Sequence, residues 1–74
     1  MMSNQERLIY MANQIARNLE TIDSAKAVAA TAGHITKFWD PRMRGNIIDA
    51  LDQPDAGLGD IARQAVMLLR DARA

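Results

Sequence analysis

The sequence predicts an all-α fold, a small bundle of about four short helices. Three observations carry that reading. Apolar residues recur at i, i+3 and i+4 through most of the chain. No stretch sustains the period-two alternation or the β-branched enrichment of a strand. Capping residues, prolines and glycines fall between the periodic stretches. With 74 residues, the chain reads as a single helical domain, residues 1–74.

The first helix is expected from about Asn4 to Glu20. Ser3 stands as its cap and Glu6 follows three residues on, the pattern of a capping box. Leu8, Met11, Ala12, Ile15 and Leu19 mark its apolar stripe, with Arg7, Asn13, Gln14, Arg17 and Asn18 at the polar positions. The second helix begins after Asp23 or Ser24, both good caps. Val28, Ala32, Ile35 and Trp39 form one stripe, and Ala27, Thr31, His34 and Phe38 a second, so its apolar arc is wide. Gly33 lies inside it at a cost of about 1 kcal/mol relative to Ala, and the helix is read as continuous. The third helix opens at Asp40-Pro41. Asp40 is a natural N-cap, Pro41 suits the first helical position, and the residue before a proline avoids helical geometry. The second helix therefore stops near Trp39. Met43, Ile47, Ile48 and Leu51 form the third helix's inner side. The stretch DQPDAGLG, punctuated by Pro54, Gly57 and Gly59, reads as a loop. A fourth helix follows from Leu58 or Asp60 to near Ala72, patterned by Ile61, Ala65, Val66, Leu68 and Leu69. Arg70 and Arg73 suit the negative end of its dipole.

Composition narrows the function. A chain this short buries only about 60% of the surface it exposes when unfolded, so its core is thin. Many of its apolar residues are alanines, good helix formers but small core fillers, which favours support from a second surface. The absence of Cys excludes disulfides, thiolate metal sites and cysteine nucleophiles. Formal net charge is zero, without the basic footprint of a nucleic-acid binder. MMSNQERLIY lacks the apolar run of a signal peptide, and no stretch nears the ~20 apolar residues of a membrane span. The expectation is a cytoplasmic protein with no nucleic-acid or membrane partner. His34 is the only histidine, no Ser has a nucleophile's setting, and the scattered acids lack ligand spacing. We therefore expect no catalytic residue and no metal ligand in this chain, and no enzyme on its own.

The stretch KFWDPRMRG, Lys37–Gly45, stands apart. It holds the only Trp and the only Phe, and two arginines follow its proline at the positive end of a new helix. Trp and Arg are the types most enriched at binding hot spots. Arg42 and Arg44 are two apart on a helix, so they point to different sides, one free to reach back towards Trp39 or Asp40. The candidate partner-binding residues are His34, Phe38, Trp39, Arg42, Met43 and Arg44, with Asp40 and Pro41 as the structural cap. An anion at the same helix N-terminus is a weaker reading, because Asp40 competes for the backbone N–H groups. A small helical DNA-binding or regulatory protein, in which a tight corner mimics a helix-turn-helix, is the alternative.

MANQIARNL near the N-terminus, then GHITKFWDPRMRGNII, then a glycine-containing loop and GDIARQAV, resemble the delta subunit family of NAD-dependent formate dehydrogenases. Most of the weight falls on His34 and the run Phe38-Trp39-Asp40-Pro41-Arg42-Met43-Arg44, with support from Met11-Ala12-Asn13-Gln14-Ile15. Gly33 departs from the pattern, at a place where a better helix former is expected. The resemblance implies a small non-catalytic subunit of a soluble cytoplasmic complex that oxidises formate to carbon dioxide and reduces NAD. It implies an alpha subunit with bis-molybdopterin guanine dinucleotide, molybdenum or tungsten, and iron–sulfur clusters. It also implies beta and gamma subunits with FMN, further clusters and the NAD site. This chain would bind no cofactor itself. It would bind the alpha subunit and support assembly, cofactor insertion or stability, with Trp39 and Phe38 in an apolar pocket and the arginines on carboxylates.

Overall fold

The computed structural model describes residues 2–20, 23–53 and 55–73. Four α-helices follow one another: α1 (Asn4–Leu19), α2 (Ser24–Phe38), α3 (Pro41–Asp49) and α4 (Asp60–Arg73). A 3-10 turn, Ala50–Asp52, tightens the end of α3. Pro54 and the side chain of Arg73 lie outside the described residues.

Local chemistry sets each boundary. At α1 the Ser3 hydroxyl accepts from Glu6 N–H at 3.1 Å while Ser3 N–H donates to Glu6 Oε1 at 3.0 Å, completing the capping box. At α2 the Asp23 carboxylate accepts from Ala25 and Lys26 N–H. The helix ends when Trp39 N–H donates to Ile35 O and the chain turns extended. Asp40 has φ −76° and ψ 167°, the geometry a following proline imposes. Its carboxylate accepts from Met43 N–H at 2.9 Å, and α3 begins at once. In the loop before α4, Gly57 has φ 96°, a backbone state that favours glycine. Helix α2 runs unbroken through Gly33, which is exposed, and a Cβ there would meet nothing within 4 Å. That glycine therefore serves no close approach among the described residues.

The largest interface joins α2 to α4, followed by α1 to α2, while α3 packs on both α1 and α4. Ile35, Ile47, Val66 and Thr31 are the largest fully buried side chains. The Thr31 hydroxyl donates to Ala27 O at 2.7 Å, so its burial leaves no unmet hydrogen bond. Ala12, Ala27, Ala50, Ala62 and Ala65 are also buried. Small side chains at helix crossings let the backbones approach, and that is how a chain poor in aromatics closes its core.

The first stripe of α2 is buried throughout: Val28, Ala32, Ile35 and Trp39. The second divides, with Ala27 and Thr31 inside and His34 and Phe38 exposed. In α1 the buried arc is Leu8, Ile9, Ala12 and Ala16, with Met11 and Ile15 at its margin. It is rotated from the expected stripe because α1 meets α2, α3 and α4 together. In α4, Leu68 was expected to face inward and is 46% exposed, while Ala62 takes an inner place. Among the described residues no helix is long and apolar enough to cross a membrane.

Candidate functional site

The corner between α2 and α3 separates its two aromatic neighbours. Trp39 is 5% exposed and belongs to the core cluster with Ile35, Ile47 and Val66. The expectation that Trp39 fills a partner's pocket is corrected by that burial, since almost none of its ring is offered to a second protein. The reason is register. Trp39 continues the stripe of Val28, Ala32 and Ile35, which points into the bundle. Phe38, one residue earlier, points away and is 65% exposed.

Phe38 carries the outward chemistry. Its ring centroid lies 4.7 Å from that of His34, with the planes tilted by 44°. Lys37 Nζ sits 5.5 Å from the same centroid, within cation–π reach. The exposed ring is thus braced by one polar ring and one cation, and helical spacing of four residues brings His34 there.

Arg42 and Arg44 do point to different sides. Arg42 is exposed. Arg44 is half-buried and reaches back across the corner, where Nη1 donates to Trp39 O at 2.6 Å and to Thr36 O at 3.2 Å. Those carbonyls lie at the C-terminal end of α2, where a cation is favoured by the helix dipole. The cation that looked misplaced at the start of α3 is therefore well placed at the end of α2. Met43 is half-buried against the core. Of the six candidate partner-binding residues, the structure leaves His34, Phe38 and Arg42 exposed, while Trp39, Met43 and Arg44 secure the corner from within. The Asp40 carboxylate already accepts from an N–H of α3, which weakens the anion reading of that terminus.

A hollow of about 360 Å³ adjoins the corner, lined by Thr36, Pro41, Gly45, Ile48, Leu69 and Ala72 together with Arg44. Sequence reasoning missed it because it forms only when the ends of α2, α3 and α4 meet. It also missed Asn13, read as a solvated polar position. Asn13 Nδ2 donates to Gly57 O at 2.9 Å and its Oδ1 accepts from Gly59 N–H at 2.8 Å, so one amide pins the loop before α4. Gln5 acts similarly, donating to Asn46 O at 3.1 Å and accepting from Gln53 Nε2 at 3.1 Å. The only signal for either was an amide on a helix one turn from the apolar arc.

Fold and corner together define a small all-α module whose conspicuous outer feature is an exposed aromatic braced by a histidine ring and a lysine. A family model described as NADH-dependent formate dehydrogenase delta subunit FdsD matches residues 7–66 of the 74, and the chain belongs to that family. Neither a curated protein nor a solved structure matches it.

Proposed function

We propose that this chain is a non-catalytic delta subunit that binds the molybdenum-containing alpha subunit of a soluble, cytoplasmic, NAD-dependent formate dehydrogenase. There it supports assembly, cofactor insertion or stability of the active complex. Membership of the delta subunit family supports the complex. The observation that carries the docking reading is Phe38, a large apolar ring 65% exposed on a chain with few aromatics. His34 and Lys37 brace it with a polar ring and a cation, the composition of an anchor with a polar rim.

The described residues do not fit the complex's metal groups. No three His, Cys, Asp or Glu side chains among them converge as ligands, and the sequence has no cysteine for a cluster. Bis-molybdopterin guanine dinucleotide, molybdenum or tungsten, iron–sulfur clusters and FMN are therefore assigned by this reading to the alpha, beta and gamma subunits.

The test compares two adjacent residues. Phe38→Ala is expected to leave the fold within about 0.5 kcal/mol of wild type, as an exposed substitution does. The same change is expected to weaken binding to the alpha subunit by about 2 kcal/mol. Trp39→Ala is expected to cost about 3–5 kcal/mol of folding stability by emptying core volume. Urea denaturation of the isolated chain and titration against purified alpha subunit read the two effects separately. Unchanged affinity in a folded Phe38→Ala chain would remove Phe38 from the interface.

A further inference from the structure

We propose that the hollow between the ends of α2, α3 and α4 receives a segment of the partner subunit that bears a carboxylate beside an apolar side chain, with Arg44 gripping the carboxylate. This rests on the reading of the chain as a docked subunit and adds a second contact to it, with stated chemistry.

The inference starts from the hydrogens of one guanidinium. Arg44 Nη1 carries two, and its bonds to Trp39 O and Thr36 O account for both. Nε and Nη2 remain. They form the edge of the guanidinium that donates side-on to a carboxylate through two parallel hydrogen bonds. Among the described residues no carboxylate fills that role, and the ion pair formed there is Arg70 with Asp71. Asp40, the nearest acid in sequence, is engaged as the cap of α3. Arg44 is thus a half-buried cation already fixed in direction by two backbone carbonyls, with its paired edge unmatched by any acid among the described residues. Fixing a guanidinium beforehand lowers the ordering cost of each bond it later makes.

The walls specify the rest of the occupant. Pro41, Ile48, Leu69 and Ala72 present apolar surface beside Arg44, in a volume of about 360 Å³ that suits one large side chain with part of its backbone. Arg44 is the charged residue of the lining, so the hollow's own charge favours an anion. A neutral apolar peptide would leave the guanidinium edge unmatched, and a basic one would meet like charge. An acidic–apolar segment satisfies both halves of the hollow.

The experiment uses the chain in its complex. Ala72→Phe fills the hollow from the last turn of α4, at an exposed position. It is expected to reduce association with the alpha subunit at least about tenfold, with urea midpoint unchanged. A photo-crosslinker at Ala72 in the otherwise wild-type complex is expected to label an alpha-subunit peptide containing Asp or Glu. Arg44→Glu paired with reversal of that acid to Arg should then recover part of the loss that each change causes alone. Wild-type binding by Ala72→Phe would overturn the hollow while leaving the subunit reading intact. Crosslinking to a second copy of this chain, or to a segment without acids, would overturn it as well. Failure of the wild-type chain to join the complex would overturn the subunit reading and, with it, this one.

Discussion

One amide side chain, Asn13, carries a share of the architecture out of proportion to its size. Its donor and acceptor both meet backbone of the loop that leads into α4, at 2.9 and 2.8 Å. Because the two bonds straddle Leu58, which is buried, they hold an apolar residue in place as well as a turn. Asn13→Ala is expected to destabilise the fold by about 0.5–1.5 kcal/mol for each bond lost, because the freed Gly57 and Gly59 backbone groups are exposed and can turn to water. Hydrogen exchange at the Gly59 amide should quicken before global unfolding does. Asn13→Asp keeps the acceptor for Gly59 but sets a carboxylate against the Gly57 carbonyl, so it should fall between the two. The sequence placed Asn13 on a helix and said nothing of its partners, because a hydrogen bond spanning 44 residues leaves no periodic trace.

At the scale of elements, helix ends were legible and helix faces only partly so. Ser3, Asp23, Asp40 and Pro41 act over three residues, and each does what its local chemistry demands. The inner face of α1 depends on where three other helices lie, and the periodicity of α1 alone does not contain that. Two expectations belong here. Gly33 occupies open space in the exposed face of α2, so Gly33→Ala should stabilise the isolated chain by about 0.5–1 kcal/mol. A thermal melt would read this as a rise of several degrees. If the same change weakens the assembled complex, α2 meets its partner at that point. The second expectation concerns the start of α1. The Glu6 carboxyl is held below its ordinary value, first by the Ser3 backbone N–H and then by the Ser3 side chain, against a slight opposing effect of desolvation. A depressed carboxyl pKa contributes stability that is present above the unfolded value and fades as pH falls through the folded one. The first turn of α1 should therefore fray in acid, below the ordinary glutamate range, and stay intact at neutral pH. Amide exchange at Arg7 against pH would show it, and Glu6→Gln should flatten the dependence.

At the scale of the whole molecule, the core is assembled from alanines and medium-sized aliphatic side chains inside an envelope of 33 × 27 × 22 Å. The helical class and helix order were evident from spacing and caps. The family was evident from GHITKFWDPRMRGNII together with MANQIARNL before it and GDIARQAV after it. The division of labour within that stretch was not, because sequence treats Phe38 and Trp39 as adjacent equals. Three-dimensional register makes them opposites, one in the core and one in solvent.

That opposition has a bearing on what a partner can sense. Phe38 and Trp39 share a peptide bond, and Arg44 locks the Trp39 carbonyl. The outer ring keeps its bearing only while the inner ring is seated. A protein that grips the corner therefore grips the closed form in preference to the open chain, and its grip draws the population towards closure. Assembly would then act as an inspection step: a chain whose interior has not set cannot show the credential by which it is admitted.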